Sequence, residues 1–397
     1  MTTTAPPIPA APHPLKARTV MFCLLAGCLA GTGFGLSMPV LAFSLETMGA
    51  SGTVIGLNAT VGALSTLVTA PLIPRLMQRM PPRRILMAAL LFTAACFPLF
   101  QALPNIPLWF VLRFVMGMGL TVLFVASETW LNQIATPRDR GRLIAFYATA
   151  LGIGFALGGA LPSLVGVEGW RPFLTGSAIF AVASLPLMMR ALDPEKPDAH
   201  AASWGAIMDL IRQAPVVTMA ALCFGAVEMS LFTFLPLYGD GVGLGPQGGA
   251  LLLSAAAIGA VGMPPILGWF ADRGFGRALL FAAALGTAIG FAGCLVFAHI
   301  PWLLYASAFF GGGMALSMYT LGLTDLGSRF TGSAVVTANA VFVTLYGLGS
   351  LVGPGVSGVM RDQIGLVGVP LALCGFGGLY ALVILARGLR RNPVQTS

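Results

Sequence analysis

The chain is short of charge. Its 397 residues include 21 Lys and Arg and 13 Asp and Glu, or 9%, where soluble domains carry about 25%. Hydrophobic residues make up 57%, which excludes a soluble globular protein. Histidine is scarce too: His13, His200 and His299 lie far apart, each in or beside a predicted loop, so no metal-ligand cluster forms. The six cysteines (Cys23, Cys28, Cys96, Cys223, Cys294 and Cys374) all fall inside apolar segments without a CxxC spacing. They read as small packing residues, with no disulfide framework and no metal site. A GxxxxGK[ST] stretch is missing, which excludes direct use of ATP. No nucleophile–base pair or metal set stands near an interface, so nothing points to an enzyme or to a cofactor.

What is there is apolar sequence in span-length blocks. Crossing about 30 Å of hydrocarbon takes roughly 20 residues of helix. Twelve such segments are predicted: 20–43, 53–74, 85–104, 107–131, 143–166, 171–191, 214–238, 248–270, 278–299, 301–325, 334–360 and 366–388. The fold class is therefore an all-α membrane protein. Of the 21 basic residues, 18 fall in loops or tails on the side of the N-terminus; Arg171 and Arg361 lie on the other side and Arg113 inside a segment. That asymmetry places both termini in the cytoplasm. Spread over alternate loops, the positive charge forms no continuous face, which argues against nucleic acid as a partner and for anionic membrane lipid.

Residues 1–19 are Pro-rich and read as a disordered cytoplasmic tail, and 389–397 as a second one. A cleaved signal peptide is the rival reading of the N-terminus, disfavoured by a first apolar run of full span length. Residues 192–213 form the longest polar interruption and divide the chain into two six-helix halves, 20–191 and 214–388. Within it, Ala202 to Gln213 carries the spacing of a short amphipathic helix. The halves echo each other: Gly154 and Gly158 recur as Gly349 and Gly353, and Gly117 and Gly119 as Gly311 and Gly313.

Several motifs resemble those of the Major Facilitator Superfamily of secondary transporters. GWFADRGFGR carries Gly268, Asp272, Arg273, Gly276 and Arg277, similar to the superfamily's loop signature GxxxDRxGRR with one extra residue. RFVMGMG, with Arg113, Gly117 and Gly119, is similar to RxxxGxG. GSLVGPGVSG, with Gly349, Gly353 and Pro354, is similar to GxxxGPxxGG, and GFALGG with Gly154 and Gly158 is its weaker counterpart. In the first half the matching loop, APLIPRLMQRMPPRR, departs from the pattern: Arg75 stands where the aspartate is expected. SETWLNQIATPRDRGRLIAFY and YTLGLTDLGSRFTGSAVVTANA suggest a narrower likeness to a little-characterised bacterial subgroup.

The resemblance implies two pseudo-symmetric six-helix halves that rock about a mid-membrane site, with helices 1, 4, 7 and 10 lining the cavity. It further implies a conformational latch at Asp272 and Arg273, and helix packing through the paired glycines. Glu128 and Asp325, at the inner ends of helices 4 and 10, are gate candidates expected to pair with Arg138, Arg142 or Arg329.

Only Arg113 and Glu228 are ionisable and well inside a span. Charges there are costly and normally pair or function. Counted from the outer helix ends, Arg113 lies about 9 Å deep and Glu228 about 15 Å, so the two are expected to face each other across the cavity. Two readings stand. In one, Glu228 binds a proton or contacts substrate, with Arg113 moving away as the halves rock. In the other, the pair is a permanent structural bridge, or Glu228 is a protonated, hydrogen-bonded glutamate. Phe224 and Phe232 share the helical face of Glu228 and are candidate cavity residues with Ser37, Thr121 and Tyr319, although such stripes are often plain packing surface. Polar groups on the cavity helices are few, which disfavours sugars.

The expected function is movement of a small organic solute across the bacterial inner membrane by alternating access, with coupling to protons. Efflux of amphiphilic or cationic compounds is favoured over uptake of a small metabolite. A non-transporting sensor or lipid-handling partner stays open because of the altered first-half loop.

Overall fold

No water satisfies peptide groups in hydrocarbon, so a chain of this composition spans a membrane as helices that bond their own backbone. The structure, a computed structural model, describes residues 14–136, 139–189, 214–271, 273, 276–329 and 333–389. Among them no strand occurs, and the long helices number twelve. The first half holds α1 (Pro14–Thr47), α2 (Gly52–Thr69), α3 (Pro82–Ala102), α4 (Ile106–Ile134), α5 (Arg140–Val165) and α6 (Trp170–Ala183). The second holds α7 (Pro215–Gly239), α8 (Gly245–Phe270), α9 (Gly276–Val296), α10 (Pro301–Arg329), α11 (Ser333–Ile364) and α12 (Gly368–Leu389). Residues 1–13 of the first tail, the linker 192–213 with its amphipathic stretch, and residues 390–397 lie outside the described residues.

Among the described residues, nine helical runs are long and apolar enough to cross a membrane. Two of them, Pro215–Phe270 and Val341–Arg387, each contain parts of two helices, and α10, diluted by Gly311 to Gly313, stands outside them. Large exposed side chains such as Leu164, Val182, Val296, Trp302 and Leu382 cover the outer faces. That surface suits lipid and not water.

One expectation is corrected. Most of the predicted loop APLIPRLMQRMPPRR is helical: α2 passes through a tight turn at Ala70–Leu72 and resumes as a helix over Ile73–Arg79. Its prolines did not break it, because Pro71 and Pro74 sit in first turns, where the missing N–H needs no partner.

Both halves rest on the same kind of contact, a helix pair whose backbones touch through glycine. In the first half α1 packs on α5, where side chains at Gly154 and Gly158 would overlap the carbonyl oxygens of Cys28 and Thr32. In the second, α7 packs on α11, where side chains at Gly349 and Gly353 would overlap those of Leu222 and Ala226, and one at Gly225 that of Tyr346. Small residues at such crossings allow the close packing that holds membrane helices together. The halves meet mainly through α2 on α11 and α5 on α8.

The end of the bundle bearing Pro14 and Leu389 is called the near end, and the end bearing Thr47 and Ile364 the far end. At the near end, Lys16 on α1 bonds Asp139 at 2.6 Å. That bond holds the Asp139 carboxyl below the usual carboxylate range. Its contribution is therefore present above the ordinary carboxylate pKa and is lost as pH falls through the lowered value.

The glycine contact carries a prediction. Gly349→Leu should lower stability by about 1–3 kcal/mol or more through overpacking. Gly355→Ala, on the same helix with open space around it, should change the melting temperature of the purified protein far less. Equal shifts would remove the backbone contact as their cause.

Candidate functional site

Helix α7 runs through the middle of the second half, packed by α8, α10, α11 and α12, and also touches α1 and α2. From Cys223 to Gly239 all its residues are buried except Glu228, which keeps part of its surface. The close approach of α11 at Gly225 and Gly349 brings Tyr346 to this carboxylate, and the Tyr346 hydroxyl donates to Glu228 Oε2 at 2.5 Å. Phe224, one turn earlier on α7, stacks on Tyr346 with ring centroids 5.8 Å apart and meets Tyr319 of α10 at 5.1 Å. Tyr319 lies edge-on to Tyr346 at 5.8 Å and against Phe342 at 4.9 Å. Glu228, Tyr319 and Tyr346 are all partly exposed. They form a recess with one carboxylate and a wall of aromatic faces.

Arg113 is elsewhere. It is 3% exposed, and its guanidinium donates to Ser37 Oγ at 3.2 Å and reaches the Met38 sulfur, both on α1. Gly62 of α2 makes room for it, since a side chain there would crowd Nε. The expected Arg113–Glu228 pair is not formed. Arg113 lines a small cavity with Thr233 of α7, and Thr233 lies five residues beyond Glu228, about 7.5 Å further along the helix. Similar depth counted from each helix end does not set two side chains at one level.

The other candidates separate as well. Phe232 packs on Phe155 of α5, 4.9 Å between centroids, on the side of α7 that meets the first half. Thr121 is buried against α2, bonded to Thr66 at 2.8 Å and to the Gly117 carbonyl. Asp325 bonds Arg329 one turn on at 2.7 Å, whereas Glu128 makes no ion pair with a described side chain. Arg142 lies over the Phe146 ring, and Arg138 is outside the described residues. Tyr346 stands on α11, outside helices 1, 4, 7 and 10 that were expected to line the cavity, and so is not among the sequence candidates. A tyrosine in the middle of a glycine-rich span was the available signal.

The family pattern of the Major Facilitator Superfamily matches residues 23–354 and 246–397. The chain belongs to this superfamily. Curated relatives include the uncharacterized transporter YfkF of Bacillus subtilis, 26% identical over 82% of this chain and 84% of its own length. Another is the uncharacterized transporter YcaD of Escherichia fergusonii, 27% identical over 85% of each. Among solved structures, a point variant of the nucleoside transporter NupG superposes with a TM-score of 0.77 at 16% identity, covering 94% of this chain and 99% of its own. A D-xylose-proton symporter gives 0.75 at 16% identity, covering 93% and 97%. These likenesses make the protein a multi-pass membrane transporter, a secondary carrier by fold and not an enzyme.

Of the superfamily's loop signature, Gly268 faces open space at the near end of α8, and Gly276 opens α9. Arg273 folds back onto its own helix, donating to the Trp269 carbonyl at 2.7 Å with its guanidinium 3.3 Å from the centre of the indole ring. Asp272 and the side chain of Arg277 lie outside the described part. Pro354 is buried in α11, where its carbonyl packs on Gly56 of α2.

The bonds described between the two halves of this superfamily member gather toward the far end. Arg361 of α11 pairs with Glu46 of α1. The Asp362 carboxylate accepts from the backbone N–H of Gly52 at 2.6 Å and of Thr53 at 2.8 Å, and from the Thr53 hydroxyl at 2.6 Å. It thereby caps the N-terminus of α2, where negative charge is favoured. Deeper in, Thr60 donates to the Leu351 carbonyl at 2.8 Å. The far end is latched by these contacts.

Charge-assisted hydrogen bonds contribute about 1.5–3 kcal/mol each, so Asp362→Ala should shift the conformational balance toward a far-open state by about tenfold or more. A cysteine placed at Thr60 should then react correspondingly faster with a membrane-impermeant thiol reagent than the same cysteine beside an intact Asp362. Equal rates would mean that Asp362 does not hold the far end shut.

Proposed function

We propose that this protein is a proton-driven carrier that exports amphiphilic or cationic organic solutes in exchange for protons, with Glu228 as the group both ligands share. The observation that carries this reading is the recess itself, a lone carboxylate on the stretch of α7 that is otherwise buried from Cys223 to Gly239, held by one phenol and walled by Phe224, Tyr319 and Tyr346. An ionised carboxylate at this depth is costly unless neutralised. A proton neutralises it, and so does an organic cation whose apolar body rests on aromatic faces. The two cannot do so together. Competition for one charge gives exchange, and an inward proton gradient then drives the cation outward.

Positive-inside asymmetry assigns the near end to the cytoplasm, and the bacterial relatives support the inner membrane. On this reading the latched far end leaves Glu228 to exchange its ligands with the cytoplasm. The two halves then rock about the site, so that each ligand crosses by alternating access. Arg113, buried away from the recess, is not placed in the coupling step by this reading. Proton coupling has a precedent on this scaffold in the D-xylose-proton symporter. The aromatic wall and few hydroxyls around Glu228 argue against a sugar as solute.

Proteoliposomes loaded with a lipophilic cation such as tetraphenylphosphonium test the reading. An imposed pH gradient should drive its efflux in the wild type, and Glu228→Gln should reduce the driven flux to the leak. Tyr346→Phe, which removes one hydrogen bond of about 1–1.5 kcal/mol, should leave a flux reduced by about tenfold. Undiminished proton-driven efflux by Glu228→Gln would sink the proposal.

A further inference from the structure

Arg113 is the buried charge that the proposed transport step leaves aside. A guanidinium has five N–H donors and no acceptor. Here one Nη finds Ser37 Oγ and the other a methionine sulfur, a weak acceptor, while Nε is buried without a partner among the described residues. Asn58 of α2, 2% exposed, lines the same cavity, and its Nδ2 is also buried without a partner among the described residues. No described carboxylate reaches either side chain: Glu228 is bonded to Tyr346 and Glu46 to Arg361.

Both residues line one small cavity between the halves. Its other walls include Met38, Leu41 and Ile55 from the first half and Thr233 from the second. The Thr233 hydroxyl is already committed, donating to the Met229 carbonyl at 2.7 Å. The lining thus offers positive charge and N–H donors in an apolar surround. A full positive charge in such a place is stable only with a compensating negative one, and the wall supplies none.

We propose that Arg113 and Asn58 bind a small monovalent anion of halide size in the far-closed conformation. Arg113 supplies the charge and its Nε–H, and Asn58 supplies its Nδ2–H. Because Thr233 belongs to the second half, the site is complete only while the halves meet beyond Glu228. When the far end opens, the cavity parts and the anion exchanges with the far side. The anion therefore favours the latched state, and the conformational balance depends on its concentration by mass action. This goes beyond the export reading and does not depend on Glu228.

The test uses the purified full-length protein in sodium chloride, sodium bromide and sodium gluconate at matched ionic strength. The wild type should melt at a temperature that climbs with halide concentration relative to gluconate. Asn58→Asp sets a carboxylate beside Arg113 and should replace the anion: it should melt in gluconate as high as the wild type does in chloride, and lose the halide response. Identical melting of the wild type in all three salts, as a cavity holding only water would give, overturns the proposal. So does a full halide response in Asn58→Asp. Should that variant fail to fold, crystals of the wild type grown in bromide decide instead. An anomalous peak between Arg113 and Asn58 supports the site, and its absence there overturns it.

Discussion

The hydrogen bond from Tyr346 to Glu228 is the interaction around which the second half of this transporter is arranged. It joins α7 to α11, and those helices come close enough only because Gly225, Gly349 and Gly353 let backbone meet backbone. A methyl group at any of the three would collide with a carbonyl oxygen and push the phenol from the carboxylate. The glycines of the sequence motif therefore position a polar pair as well as packing a bundle. Aromatic neighbours finish the arrangement, since Phe224 and Tyr319 press on the same phenol and fix its orientation.

The two halves share a scaffold and differ in chemistry. Glycine contacts of α1 with α5 repeat those of α7 with α11, as expected of a duplicated unit. Yet the first half places a guanidinium on α4 and the second a carboxylate on α7. The structure keeps these charges apart, one bonded to α1 and the other to α11. Between them the halves are clasped toward the far end by two neighbours on α11, Asp362 capping α2 and Arg361 pairing with Glu46 of α1. A carrier needs such contacts to be strong enough to close one side and weak enough to release it. A few exposed or half-buried polar bonds meet both demands better than a wide apolar seam.

Much of this was legible from residues alone. Span-length apolar blocks separated by short loops, the repeated glycine pairs and a lone mid-span glutamate follow from composition and spacing. They led to the twelve-helix fold, the duplication and the residue at the centre of the recess. What escaped was lateral. Tyr346 was not anticipated because which helix lies beside α7, and at what height, depends on the depth of a glycine contact with no periodic signature. The Arg113–Glu228 pair was expected because axial depth can be counted along a helix, while the level and direction of a partner cannot. Arg361 is only a charge on the far side in the sequence, and the fold sets it opposite Glu46.

Glu228 as a group shared by proton and cation is the central claim, and proton release on binding tests it most directly. Detergent-solubilised wild-type protein in weakly buffered solution near neutral pH, titrated with tetraphenylphosphonium, should acidify the medium, with protons released in proportion to cation bound. Saturable binding of the cation with no proton released at any pH tested on either side of neutrality would contradict the account.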